Sequence, residues 1–181
     1  MDRLQAWVQN HEQSKVLPIL VYPNRILRQE SMVVDRFQNE LKELGENMIA
    51  TMFNACGVGL AAPQVGVLLR AIVVDPALGK NVNSEPIIMV NPEIKETGTE
   101  IFDEEGCLSL PGLYSYFPRP EKIVVSYLDL EGNSCIYETK GMVARVVLHE
   151  IDHLNGKLFW NRLSILNRLW LKFMFHRKNL S

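Results

Sequence analysis

The segment His149-Glu150-Ile151-Asp152-His153 constrains the fold of this chain more than any other. On a helix, residues four apart lie on one face, so both imidazoles can reach one cation, and the pattern points to a helix here. The flanking Val146, Val147, Leu148 and Leu154 are apolar, so this helix is expected inside the molecule rather than as a polar surface helix with two solvent-facing histidines. A buried helix needs other structure to cover it. A chain of 181 residues, 47% hydrophobic and 22% charged, is enough for one domain with a real core.

The spacing H-E-x-x-H points to metal-assisted hydrolysis. Glu150 follows a ligand directly and can turn toward a water held on the metal, take its proton and relay it. A catalytic site of this kind needs a third protein ligand and one open position. No Asp or Glu follows Asp152, so a downstream glutamate of the thermolysin kind is excluded. The longer metzincin pattern holds as far as Gly156, but its last position is Phe159, which cannot ligate. The one downstream histidine, His176, sits in a basic tail. The third ligand is therefore expected upstream, and Cys107 is the leading candidate, since a thiolate suits Zn²⁺ and Fe²⁺. Alone it would read as a buried apolar cysteine or a nucleophile. It lies in Glu105-Gly106-Cys107-Leu108-Ser109-Leu110-Pro111-Gly112, a loop shaped by glycine and proline.

Periodicity supplies the frame. Pro18 to Tyr22 reads as a short strand closed by Pro23-Asn24, and residues 1–15 as a loose arm or a short helix. Asp35 is expected to cap a helix on which Phe37, Leu41, Leu44, Met48 and Met52 recur, with Gly57 as its stop. Strands are predicted over Leu69–Val74, Ile87–Val90, Ile94–Ile101, Ile123–Leu128 and Cys135–Thr139, the last two joined by a turn at Asp129–Gly132. Lys140–Leu154 is predicted helical up to Asn155-Gly156, and Ser164–Lys178 forms a further helix with Ser164 as N-cap. A block of strands between helices implies an α+β fold rather than a parallel array. Gly57-Val58-Gly59-Leu60-Ala61-Ala62-Pro63-Gln64 reads as a glycine-containing loop, with Gln64 offering an amide to a carbonyl oxygen. It lacks the G-K-[ST] ending of a phosphate loop.

Several function classes fall away. A net charge of -2 gives no basic field for DNA. Cys56, Cys107 and Cys135 form an odd set without a secretory leader, which argues against a disulfide framework. No apolar run is long enough to span a bilayer. The cytoplasm is the expected compartment.

Gly57–Gln64, Glu105–Ser109 and His149–His153 together resemble, in that order, the G-x-G-L-A-A-x-Q, E-G-C-L-S and H-E-x-D-H segments of peptide deformylases. Leu20-Val21-Tyr22-Pro23, Arg119-Pro120 and His153-Leu154-Asn155-Gly156 fit the same pattern, so the resemblance covers about residues 17–164. It implies antiparallel sheets around a central metal-binding helix; an N-terminal arm at 1–16 and a C-terminal basic and apolar helix at 165–181, both read from the residues themselves, are expected to flank that domain. It implies hydrolysis of the N-formyl group from the formyl-methionine that begins newly made polypeptides. Cys107, His149 and His153 would hold one divalent ion, often Fe²⁺, with Zn²⁺ or Ni²⁺ able to replace it. Glu150 would be the general acid/base, and the Gln64 side chain and Leu108 N–H would polarise the formyl oxygen. The peptide would lie extended beside Val58, Gly59 and Gly106. One departure is Leu148, where the family commonly has glutamine.

Stepping back from His149 by three and seven residues gives Val146 and Met142, which with Val58 could wall a slot for methionine or be ordinary core; Tyr114 would sit at the rim. The alternatives are a general metallopeptidase and a structural metal module closed by Cys56 as fourth ligand. In the tail, Arg162 to Lys178 holds five Lys or Arg and no acid among many apolar residues. The helix is expected to pack its apolar residues on the domain and expose its basic ones. A membrane-surface role and docking on ribosomal RNA are the other two readings, and docking is the one added to packing.

Overall fold

The computed structural model describes residues 3–11, 13–80 and 84–178. It is an α+β fold built on antiparallel pairing. The helix α1 (Arg3–Asn10) is followed by α2 (Asn39–Asn54), then β1 (Gly59–Ala61), β2 (Ala71–Val74), β3 (Ile87–Thr97), β4 (Glu100–Gly106), β5 (Tyr114–Pro120), β6 (Lys122–Leu128) and β7 (Ser134–Lys140). Two helices close the order, α3 (Met142–Leu154) and α4 (Ile165–Lys178). Five strands make one sheet in the order β1-β2-β3-β6-β7, and β4 and β5 form a separate ribbon.

The motif helix α3 lies against the main sheet and also meets β5. Ile72, Val74, Met89, Ile123 and Val125 from the sheet and Ala144, Val147, Ile151 and Leu154 from α3 make the core between them. A second cluster joins α2 to β1 and β2 through Met48, Met52, Leu60 and Val73, and half-buried Trp7 of α1 packs against it. The helix is thus held from the sheet side by apolar contact, which leaves its other side for chemistry.

Several boundaries differ from the sequence expectation, each for a physical reason. Pro18–Tyr22 is not a strand; it is an extended segment that ties two loops together, Leu20 N–H donating to Gln64 O and Tyr22 N–H to Ser109 O. Asp35 does not cap α2, whose N-cap is Gln38. Phe37 instead reaches the Val34–Leu41–Val90 cluster from extended backbone, so the helix starts later. Its end comes earlier too, with Cys56 rather than Gly57 in the left-handed region at φ 52°. The predicted strands at 87–90 and 94–101 are rearranged into β3 and β4. Pro92 does not break β3, because a bulge at Asn91 shifts the register and the Asn91 amide bonds both Val34 N–H and Val34 O. Two strands went unread, β1 within the glycine segment and β5. Strand β5 carries Pro118 and Pro120, which the ribbon tolerates because it has a second edge needing no donor.

The tail also departs from expectation. Leu171 and Phe175 are buried with Trp160, Phe159 and Leu27. Ile165, Leu166, Leu169, Trp170 and Phe173 face solvent. Residues 171 and 175 form one stripe and 166, 169, 170 and 173 the opposite one, so packing on one side leaves an apolar face outside.

Candidate metal centre

Three segments converge at one end of the cavity. Helix α3 supplies His149, Glu150 and His153; the loop between β4 and β5 supplies Cys107; the turn after β1 supplies Gln64. Cys107, His149 and His153 each offer a ligand atom, and these atoms lie within 4.8 Å of one another. Cys107 Sγ is 3.3 Å from His153 Nε2, which is 3.1 Å from His149 Nε2. In a tetrahedral Cys/His₂ site with metal–nitrogen bonds near 2.0–2.1 Å and metal–sulfur near 2.3 Å, neighbouring donors stand roughly 3.3–3.6 Å apart. The separations here are close to that, and the donor set suits a borderline-soft divalent ion. Cys56, the thiol a closed four-ligand site would require, is exposed and outside the cluster.

The donor atoms are held from behind. Glu105 Oε1 accepts from His149 Nδ1, and since an ionised carboxylate only accepts, Nδ1 carries a proton and Nε2 is the nitrogen turned toward the cluster. Glu105 also accepts from Arg119 Nε at 3.1 Å and Nη2 at 2.8 Å, and from Arg145 Nη1 at 3.3 Å. Arg119 Nη1 bonds Asp152 at 2.7 Å, and Asp152 is paired in turn with Arg162. Burial opposes ionisation of Glu105, but the hydrogen bonds from His149 and Arg119 outweigh it and hold the carboxyl down at about 2. Burial likewise disfavours charge on both histidines. For His149 the Cys107 sulfur and Glu105 overcome it and raise the ring's pKa, whereas His153, beside His149, is pushed down.

Burial pushes the Glu150 carboxyl up to about 7. Its Oε2 is buried and has no hydrogen-bond partner among the described residues, and the same holds for His153 Nδ1. A buried carboxyl without a partner is costly unless a ligand completes it. Glu150 borders a cavity of about 450 Å³. Gln64 Oε1 accepts from Ala61 N–H at 2.8 Å, so the amide is fixed with Nε2 toward the cluster, 3.8 Å from Cys107 Sγ and 3.2 Å from Ser109 Oγ.

Val58, Gly59, Gly106, Leu108, Tyr114, Met142 and Val146 line this same cavity with Gln64, Cys107, His149 and Glu150. His153 lies behind the others, 1% exposed. The structure thus gathers the residues singled out in the sequence around one space. Residues 16–169 match the family described as polypeptide deformylase. The peptide deformylase of Thermodesulfovibrio yellowstonii is 43% identical over 163 residues, 90% of this chain and 98% of that one. The chain belongs to the polypeptide deformylase family. Solved members share its fold. The Legionella pneumophila enzyme superposes with a TM-score of 0.83 at 41% identity, covering 91% of this chain and 95% of that one. The Synechococcus elongatus enzyme, solved with actinonin, gives 0.83 at 39% identity, covering 92% and 91%. The family uses a metal ion, and the Cys107–His149–His153 cluster is where this member offers donors for one.

Sequence reasoning missed the charged support behind the ligands. Glu105 and Arg119 stood inside recognised segments without a role, and Arg145 and Asp152 were charges on an otherwise apolar helix. Such isolated charges in an apolar run are the signal that points to a buried network. Leu148, in place of the family's usual glutamine, is half-buried and packs on the apolar cluster under the sheet.

Proposed function

We propose that Cys107, His149 and His153 hold one divalent ion, Fe²⁺ in the native protein with Zn²⁺ or Ni²⁺ able to replace it, and that residues 17–164 form the catalytic unit around it. Deformylation is the function: hydrolysis of the N-formyl amide at the formyl-methionyl end of newly made polypeptides, releasing formate. The observation that carries the reading is a buried, unpartnered Glu150 carboxyl beside a three-donor cluster, both opening on one cavity. The bound ion would supply Lewis acidity toward the formyl oxygen and make water acidic enough to ionise near neutral pH.

The protein's own groups do the rest. Glu150 takes a proton from the attacking water as its oxygen bonds the formyl carbon. It then delivers that proton to the amine nitrogen as the C–N bond breaks. A carboxyl near 7 suits both directions of transfer at neutral pH. The Gln64 Nε2–H and the Leu108 N–H donate to the oxygen on which charge develops. Strand β1 is the edge of its sheet, so an extended peptide can pair beside Val58 and Gly59 and opposite Gly106. Val58, Met142 and Val146 would wall the methionine slot, with Tyr114 at its rim.

The test is anaerobic purification with metal analysis, followed by turnover of formyl-Met-Ala-Ser against acetyl-Met-Ala-Ser and an internally blocked peptide. Glu150→Ala is expected to keep its metal and lose at least roughly 10²–10⁴ in rate. Full turnover by the metal-loaded variant would refute the role, and cleavage of internal bonds would favour a general metallopeptidase. The exposed Cys56 weighs against a closed structural site. The reading places the enzyme in the cytoplasm, with α4 as a second contact to the ribosome. Arg177 at the end of its outward apolar stripe supports that contact, and co-sedimentation with ribosomes that falls with salt tests it.

A further inference from the structure

The ribbon of β4 and β5 presents two unlike faces. Inward, Glu105, Phe117 and Arg119 join the buried network behind His149. Outward, alternation places Phe102 and Glu104 on β4 with Tyr114 and Tyr116 on β5, since Glu104 pairs Tyr116 and Gly106 pairs Tyr114. Phe102 is 75% exposed and Tyr116 64% exposed, so neither serves the core. The strip is continuous with the cavity. Glu104, Gly106 and Tyr114 line it, and the Tyr114 ring lies over Gly106, within 2.7 Å of where a Cβ would stand. From that rim, Tyr116 and then Phe102 lie further from the metal cluster. Both neighbours of the aromatic rings on β4's outward face, Glu100 and Glu104, are acidic and exposed, and no cation stands among the outward residues of the two strands.

We propose that this acidic, aromatic strip binds the peptide downstream of its formyl-methionine and selects lysine or arginine at about the fourth to sixth positions. The inference rests on the deformylase reading of the cavity. An extended chain and a strand both advance about 3.3 Å per residue, so a peptide with its first side chain in the slot passes Tyr114 and reaches Tyr116 and Phe102 two to four residues later. A cation gains from the face of an exposed ring and from a carboxylate beside it. Each such contact is worth about two- to fivefold in affinity. Because these contacts form equally in the ground and transition states, they lower KM and leave kcat alone.

The experiment compares formyl-Met-Ala-Ser, formyl-Met-Ala-Ser-Lys-Ala-Lys and formyl-Met-Ala-Ser-Glu-Ala-Glu on the metal-loaded enzyme. The lysine hexapeptide is expected to show a KM about five- to tenfold below the tripeptide, a gain that shrinks in high salt, while the glutamate hexapeptide shows none. The double variant Phe102→Ser, Tyr116→Ser alters two exposed side chains, so it is expected to keep wild-type kcat/KM on the tripeptide and lose most of the lysine gain. Glu104→Lys is expected to reverse the preference toward glutamate. Equal KM for the lysine and glutamate hexapeptides overturns the inference, as does an equal loss on short and long substrates in the double variant. If the strip instead joins two copies of the chain, the double variant abolishes a concentration-dependent dimer with no length effect, and the inference fails. Absence of turnover on every formyl peptide would sink the deformylase reading itself; turnover of the tripeptide without a length effect sinks the inference alone.

Discussion

Gly59→Ala is the smallest change that tests whether β1 and α3 are set at the spacing the chemistry needs. A Cβ built on Gly59 would stand 2.6 Å from Glu150 Oε1 and 2.6 Å from Val146 Cγ1. Carbon atoms in favourable contact stand about 3.5–4.0 Å apart, so each neighbour must retreat by roughly 1 Å. Gly59 is not among the glycines with positive φ, so the alanine meets no backbone strain and the effect is one of space. Overpacking of this kind costs about 1–3 kcal/mol. For a chain of this size that lowers Tm by roughly 2–12 °C. With Glu150 as the proposed acid/base, a displacement of about 1 Å at its carboxyl costs on the order of 10² in rate. Formyl-Met-Ala-Ser turnover is therefore expected to fall about a hundredfold in kcat/KM, with metal per chain unchanged, since the atoms nearest the added Cβ belong to Glu150 and Val146 and not to Cys107, His149 or His153. Adding Val146→Ala removes one of the two clashes, so the double variant is expected to regain Tm without regaining kcat. Wild-type turnover in Gly59→Ala, or loss of metal together with activity, would refute the argument.

Three further outcomes follow from the site and the tail. The Glu105 carboxyl is held at about 2 against an ordinary 4.5, so its contribution is present above pH 4.5 and is lost as pH falls toward 2. A difference of that size corresponds to about 3 kcal/mol, and Glu105→Gln is expected to flatten the acid limb of denaturant-melt stability between pH 5 and 2 and to weaken metal binding by about 10–100-fold. Cys107→Ala is expected to lose metal and activity together while Cys107→Asp keeps some metal; an inactive but metal-loaded alanine variant would make Cys107 a nucleophile. Phe175, 4% exposed, and Phe173, 63% exposed, sit on opposite sides of α4, so Phe175→Ala is expected to cost about 3–5 kcal/mol and Phe173→Ala less than about 0.5 by urea melts.

What could be read in advance was the chemistry whose spacing is local. His149, Glu150 and His153 lie within five residues, so helical geometry alone puts them together, and their buried helix α3 is where periodicity placed it. Strands β2, β6 and β7 were legible for the same reason, each carrying its own pattern, whereas β1 and β5 carried none that could be read. What stayed hidden depends on separations between segments. The carboxylate that orients His149 comes from β4, the guanidinium that holds that carboxylate from β5, and the second carboxylate from α3. No spacing in the chain relates residues 105, 119 and 152; a charge in an apolar run, as at Asp152, signals burial but does not name its partners. The tail failed in a different way. Its apolar residues fall on two opposite stripes of one helix, and composition counts both alike, although only the stripe of Leu171 and Phe175 found a core to enter. The glycine segment shows the limit most clearly. As sequence, Gly59 reads as freedom of the backbone. In the fold its φ lies outside the left-handed region, and what it supplies is the missing Cβ that lets β1 approach Glu150 so closely that Gly59 and the Glu150 carboxyl border one cavity.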